Sequence, residues 1–122
     1  MLDYLKNEIQ DFSERQFGER HDPKGPLNHL KEEVDELIEA IDIVKSPSAP
    51  GATIDEAKKL MHNEEEEWAD CLLLLLDAFR IRFGNDVSFN KLLHFSLNKL
   101  EVIKDRKWDK KPNKDGIYRS EK

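Results

Sequence analysis

Cysteine is nearly absent from this sequence, which has one thiol, Cys71, in 122 residues. A lone thiol excludes an internal disulfide and a zinc site built on cysteines, and it suits a reducing cytosol. Long apolar runs are missing too, since no stretch of about 18 apolar residues occurs and the first residues, MLDYLKNEIQDF, are polar from the third onward. We therefore expect a cytoplasmic protein with no membrane span, no membrane partner and no secretory signal.

A basic excess is also lacking. Twenty Lys and Arg stand against 26 Asp and Glu, which gives a formal net charge of -6. General nucleic-acid binders usually carry a surplus of positive charge. We therefore expect no nucleic-acid partner, and the surplus of acids needs another explanation.

Glycine and proline are few, five of each, and they cluster in four places: residues 18–26, 46–51, 84–86 and 112–116. The stretches between them carry apolar residues at helical spacings of three and four. We predict four helices, at residues 2–17, 26–45, 54–83 and 88–108. Thr53 and Glu56 have the spacing of a capping box at the start of the third helix, and Gly84 is a natural stop for it. The prediction is an all-α, four-helix bundle in one domain (1–108) with a polar, mobile C-terminal tail (109–122).

The predicted third helix contains five consecutive leucines, Leu72 to Leu76. Consecutive apolar residues cover every side of a helix, and such a helix is buried all round. A domain of this size has little material to surround one helix, so a second subunit is the simplest cover. We predict a homo-oligomer, most simply a dimer, with a central helix covered by its own three neighbours as the alternative.

Acidic residues concentrate in two segments, 32–42 with six acids and 64–70 with five, and neither segment contains a base. A solvated helix face is the ordinary explanation of such a run. At about 100° per residue, however, Glu33 and Glu36 fall on the flank of the second helix's apolar stripe, together with His29. The same angular spacing places Glu67 and Asp70 on a face of the third helix that continues with apolar residues.

Carboxylates that enter an apolar face are costly unless they are paired or bind a metal. Two pairs that converge between two helices form a set of hard oxygen ligands, which suits Mg²⁺ or Mn²⁺. A di-iron site is excluded because no histidine follows a glutamate by three positions. Asp77 lies two turns beyond Asp70 on a similar face and is a further candidate for a supporting or metal-binding role.

Basic residues gather near the end of the fourth predicted helix, where residues 99–111 hold six bases against three acids. Lys99 and Arg106 share one flank of that helix if it continues to residue 108. A metal held by acids and bordered by bases is expected for a polyphosphate substrate. Cations that stabilise the helix C-terminus are the alternative explanation.

Three sequence blocks carry a family resemblance. These are GPLNHLKEEVDEL (25–37), EEWADCLLLLLDA (66–78) and KLEVIKDRKW (99–108). The acids in the first two resemble the EExxE and ExxD signature of MazG-like all-α nucleoside triphosphate pyrophosphohydrolases. The flanking residues are similar to the phage and bacterial branch of that superfamily that acts on dATP and dGTP.

The resemblance implies hydrolysis of a purine (deoxy)nucleoside triphosphate to its monophosphate and pyrophosphate. It implies Mg²⁺ ligands at Glu33, Glu36, Glu67 and Asp70, phosphate-binding residues at Lys99 and Arg106, and assembly as a homodimer or homotetramer. If a phage encodes the chain, the location is the host cytoplasm. A pyrimidine-directed enzyme acting on dCTP or dUTP and a non-catalytic helical scaffold are the alternatives.

Within the implied reaction we expect Glu36 or Glu67 to take the proton of the attacking water. Phe12 and Phe17 are candidates to stack on the base, with ordinary core packing as the alternative for each. His29 lies in the first block, and its role is left open.

Overall fold

Four α-helices account for the regular structure of the computed structural model, which describes residues 1–45 and 53–121. The helices are α1 (Leu2–Phe17), α2 (Lys24–Lys45), α3 (Ile54–Phe83) and α4 (Phe89–Lys104). The only β-structure in these described ranges is an isolated bridge between Trp108 and Ser120. The prediction of an all-α chain with four helices is therefore confirmed, whereas the turn predicted over residues 46–51 lies outside the described residues.

Within the described ranges, no helix combines the length and apolar character needed to cross a membrane.

The start of α3 follows the capping pattern in the sequence. The Glu56 backbone N–H donates to Thr53 Oγ1 at 3.1 Å, and the Thr53 N–H donates to the Glu56 carboxylate at 3.4 Å. The helix ends at Gly84, whose positive φ of 97° is a conformation that glycine adopts without strain. Both ends of α3 are therefore specified locally, and its predicted bounds are confirmed.

The end of α4 was predicted wrongly, because the helix stops at Lys104 and not at residue 108. The chain tightens into a turn there, with the N–H of Asp105 bonded to the Val102 carbonyl and that of Arg106 to the Ile103 carbonyl, both at 3.3 Å. Trp108 Nε1 then donates to the same Ile103 carbonyl at 2.9 Å and fixes the turn. Arg106 consequently lies beyond the helix and shares no helical flank with Lys99. The remaining bounds differ by two residues or fewer from the predicted ones.

The chain divides into two compact units, Met1–Phe89 and Asn90–Lys122. In the first unit, α3 makes its main contact with α2 and a smaller one with α1. The Phe79 ring lies 4.8 Å from the Phe83 ring and 6.4 Å from the Phe89 ring, centroid to centroid. The buried apolar residues of this unit include Ile9, Leu37, Ala40, Leu76, Ala78, Phe79, Val87 and Phe89.

The second unit contains most of α4 and a closing turn. The Asp109 N–H donates to the Arg119 carbonyl at 2.8 Å, and the Glu121 N–H donates to the Lys107 carbonyl at 3.1 Å. Asn113 Oδ1 closes the turn by accepting from the N–H groups of residues 115 and 117. The segment expected to be a polar tail thus folds back on itself through backbone hydrogen bonds.

The leucine run of α3 is only partly covered by the other helices of the first unit. Leu76 is buried, whereas Leu72, Leu73 and Leu75 are 51%, 41% and 41% exposed. Each of these exposed leucines keeps apolar surface in water, which burial against another surface would remove. Helices α1 and α2 therefore do not enclose this part of α3.

Candidate functional site

Three carboxylates meet where α2 faces α3, and a fourth lies one turn away on α2. Carboxylate oxygens of Glu33, Glu67 and Asp70 lie within 4.8 Å of one another. Glu36, one turn along α2, is exposed and lies outside this group of three, so the structure does not bring all four predicted ligands together. Residues three apart on a helix point to the same side, so each helix presents one pair of acids to the other. We refer to Glu33, Glu36, Glu67 and Asp70 as the carboxylate cluster.

Two oxygens of the carboxylate cluster have no hydrogen-bond partner although they are buried, Glu33 Oε2 and Glu67 Oε2. Among the side chains that the structure describes at residues 1–44 and 53–89, no lysine or arginine forms an ion pair with any of the four acids. His29 Nε2 lies 3.1 Å from Glu33 Oε1. Buried carboxylate oxygens without donors are costly. A divalent cation would satisfy these oxygens, so the donor set fits Mg²⁺ or Mn²⁺.

Crowding changes the acidity of the carboxylate cluster. Burial, followed by the hydrogen bond and the charge of Glu33, raises the pKa of Glu67 from 4.5 to about 6. The hydrogen bond with Glu33, followed by the Glu33 charge, raises the pKa of Glu36. Both shifts mean that the bare, ionised carboxylates repel one another, and that a bound proton or another positive charge stabilises the site. Burial also raises the pKa of the adjacent Cys71 thiol, which keeps it protonated.

The raised pKa of Glu67 predicts a pH-dependent loss of stability in the metal-free chain. The folded state holds the Glu67 proton more tightly than the unfolded state, so this group destabilises the fold as pH rises from 4.5 through about 6. We therefore expect Glu67→Gln to unfold at the same temperature as the parent at about pH 4.5, and at a higher temperature at about pH 7.5. Thermal unfolding in the presence of a chelator measures this difference.

Glu65→Gln is the matched control, since Glu65 lies on the same helix but is exposed and faces His62. The unfolding temperature of Glu65→Gln should not rise above that of the parent at any pH. An unfolding temperature for Glu67→Gln that follows the parent at every pH would contradict the crowding of the carboxylate cluster.

A cavity of about 530 Å³ adjoins the carboxylate cluster. Its wall contains Glu33 and Asp70, His29, and a group of apolar residues that includes Ile9, Phe12, Phe17, Leu73 and Leu74. Small-molecule sites typically have about 300–1,000 Å³ and combine an apolar wall with a few polar groups. The cavity thus has the size and lining of a binding site for a ligand of nucleotide size.

Phe12 and Phe17 form an aromatic corner of this cavity. Their rings meet edge to face, with centroids 6.0 Å apart and planes at 88°. Both side chains are more than half exposed. Neither ring is therefore packed into the core, and both are accessible to a ligand.

Asp77 lies on the cavity wall but its oxygens are taken by two arginines. Its Oδ1 accepts from Arg80 Nε at 3.1 Å and from Arg80 Nη2 at 2.9 Å, and its Oδ2 pairs with Arg20. Ser13 Oγ accepts from both Arg20 and Arg80, at 2.5 Å and 3.0 Å. We call these four residues the arginine network, and in this arrangement Asp77 is a partner of arginines.

The sequence reasoning missed Arg20 and Ser13. Ser13 lies four residues after the inward-facing Ile9 on α1, so helical spacing could have predicted that Ser13 also faces inward. Arg20 stands in the connection between α1 and α2, where no periodic pattern indicates the direction of a side chain.

Lys99 and Arg106, the predicted phosphate-binding residues, belong to the unit Asn90–Lys122. Lys99 is exposed on α4, and Arg106 is half-buried just beyond the end of that helix. Their role in phosphate binding stays a prediction.

Comparison of the chain with protein-family models, with curated proteins and with solved structures finds no significant match. The family resemblance therefore rests on the three sequence blocks described above.

Proposed function

We propose that this protein is a Mg²⁺-dependent hydrolase that converts purine (deoxy)nucleoside triphosphates, dGTP or dATP, to the monophosphate and pyrophosphate. The observation that carries the proposal is the carboxylate cluster, with its two buried oxygens that lack donors. The adjoining cavity, with its aromatic corner, supports a nucleotide substrate. The EExxE and ExxD blocks support the reaction class.

Glu33, Glu36, Glu67 and Asp70 would hold Mg²⁺, with Mn²⁺ as a substitute. The bound ion supplies charge neutralisation at the phosphate oxygens and lowers the pKa of water. Water forms the new bond to the α-phosphorus while the bond from that phosphorus to the α,β-bridging oxygen breaks, and pyrophosphate leaves. Glu36 and Glu67 are the candidates to accept the proton of that water, because a carboxylate beside the attacking water can act as a general base.

Lys99 and Arg106 are the proposed ligands of the departing pyrophosphate, by resemblance to the family block KLEVIKDRKW. Their fixed positive charge would stabilise the negative charge that develops on the leaving group. His29, through its contact with Glu33, would orient that carboxylate.

The proposed assembly is a homo-oligomer, a dimer or a tetramer. Leu72 and Leu75 of α3 support it, because α1 and α2 leave these apolar side chains exposed. Sedimentation equilibrium of the full chain tests it, and a monomer at all accessible concentrations would contradict it.

The test of the proposed reaction is a panel of the four nucleotides dGTP, dATP, dCTP and dUTP with Mg²⁺, in which all phosphate products are resolved. We expect a purine monophosphate and pyrophosphate in equal amounts. Orthophosphate as the first product would contradict attack at the α-phosphorus. Hydrolysis of dCTP or dUTP alone would establish a pyrimidine enzyme, and no hydrolysis with Mg²⁺ or Mn²⁺ would establish a non-catalytic module.

A further inference from the structure

Three members of the arginine network (Ser13, Arg20 and Asp77) and two of the carboxylate cluster (Glu33 and Asp70) lie on the wall of the same cavity. Asp70 belongs to the carboxylate cluster and Asp77 to the arginine network, and both line the cavity from α3. Seven helical residues correspond to a rise of about 10 Å. This is the length scale of a nucleoside monophosphate, so a substrate with its α-phosphate at the carboxylates would bring its base towards Arg20.

Arg20 sits among groups that suit a base better than a phosphate. Its guanidinium carbon lies 4.8 Å from the centre of the Phe17 ring. Its ion pair with Asp77 offsets part of its charge, because the same carboxylate also pairs with Arg80. A flat, partly neutralised donor group beside an aromatic corner matches the polar edge of a planar, uncharged base.

Arg20 also has unused capacity to donate hydrogen bonds. Its Nε is buried and out of a ligand's reach, but within the part of the chain that the structure describes no group accepts from its Nη1, which carries two N–H donors. The side chain is 28% exposed overall, and it is part of the cavity wall. Asp77 and Ser13 fix its Nη2, so the guanidinium is held in place before a ligand binds.

We propose that Arg20 recognises the carbonyl edge of the substrate's base and thereby selects a 6-oxopurine over a 6-aminopurine. This rests on the proposed function, since it assumes a purine nucleotide in the cavity. A guanidinium carries only donors, and it pairs with the O6 and N7 acceptors of guanine. The 6-amino group of adenine presents donors to the same place, and donors that face each other lose their hydrogen bonds.

Asp77 is a positioning residue in this account, because it contacts Arg20 and holds it against the cavity wall. Arg80 holds Asp77 from the other side.

The test is calorimetric titration of the full chain with dGMP, dIMP and dAMP in Mg²⁺ buffer. dIMP shares the 6-carbonyl group with dGMP but lacks its 2-amino group, so it isolates the contact with the carbonyl. We expect dGMP and dIMP to bind at least about tenfold more tightly than dAMP. Equal affinities, tighter binding of dAMP, dIMP that behaves as dAMP, or no binding of any of the three would overturn the proposal.

Arg20→Met should bring the affinities for dIMP and dAMP to within about twofold of each other. Arg20→Lys keeps a cation beside Asp77 but removes the planar fork, so it should also weaken the preference while the fold is retained. Arg15→Met is the matched control, because Arg15 is exposed on α1, donates to the Asp11 carbonyl of its own helix, and should leave the preference unchanged. A preference that survives both Arg20 variants would overturn the assignment to Arg20.

Failure of this proposal and failure of the proposed function give different results. If triphosphates are cleaved to pyrophosphate but the base preference is absent, the hydrolase stands and the role of Arg20 is wrong. If the 6-oxopurine monophosphates bind preferentially but no triphosphate is cleaved, Arg20 keeps its role and the hydrolase is wrong.

Discussion

Glu67→Gln and Asp70→Asn are each expected to lower turnover of the preferred triphosphate by about 10³-fold or more, which corresponds to about 4 kcal/mol. Each substitution replaces a charged oxygen of the carboxylate cluster with a neutral amide that has nearly the same shape. The remaining acids then offer less negative charge to the cation, and the attacking water loses its activation. Steady-state measurement of pyrophosphate release checks both variants.

Glu65→Gln is again the control, because it makes the same chemical change on an exposed part of the same helix. It should keep the parent's turnover. If Glu67→Gln or Asp70→Asn stays within about threefold of the parent, a loss below about 0.7 kcal/mol, the assignment of these residues as metal ligands is wrong.

Arg80→Met is expected to lower the free energy of unfolding by about 3 kcal/mol, because it breaks a buried ion pair on one side. Arg80 is 4% exposed and binds Asp77, Ser13 on α1 and Asn85 beyond α3, the last at 2.7 Å. Its loss would leave the buried Asp77 carboxylate with Arg20 alone and would remove a tie between α1 and α3. Chemical denaturation of the full chain measures the change.

Arg82→Met is the control for this prediction. Arg82 lies two residues away on α3 and is exposed, and its guanidinium carbon lies 5.0 Å from the centre of the Phe83 ring. Its substitution should lower the free energy of unfolding by less than about 1 kcal/mol. Equal losses in the two variants would show that the arginine network does not contribute to stability as described.

The carboxylate cluster could be located from the sequence because helical geometry is stiff. Glu33 and Glu36 are one turn apart, as are Glu67 and Asp70, so their directions followed from the angular positions of their neighbours. The bounds of α3 could also be predicted from the sequence, since Thr53 and Gly84 specify them through short-range contacts.

The arginine network could not be anticipated in the same way. Arg20 lies outside any helix, and its contact with Asp77 joins residues 57 positions apart in the chain. Asp77 was noticed for its helical face, but its partners depend on how the α1–α2 connection crosses α3. Tertiary packing decides such contacts, and no local pattern contains them.

The prediction that Arg106 shares a helical flank with Lys99 was wrong for a local reason. Its spacing from Lys99 was measured along a helix that was assumed to continue, but the turn at Asp105 ends the helix first. No glycine or proline marks that end in the sequence, and the stop depends on the Trp108 side chain, which bonds back to the Ile103 carbonyl.

The most direct test of the central claim is hydrolysis of dGTP by the full chain with Mg²⁺ in water enriched in the heavy isotope of oxygen. If water attacks the α-phosphorus, the isotope is incorporated into dGMP, the pyrophosphate carries none, and removal of Mg²⁺ by a chelator stops both products. Isotope in the pyrophosphate, or hydrolysis that continues in the chelator, would contradict the account of a metal-dependent pyrophosphohydrolase.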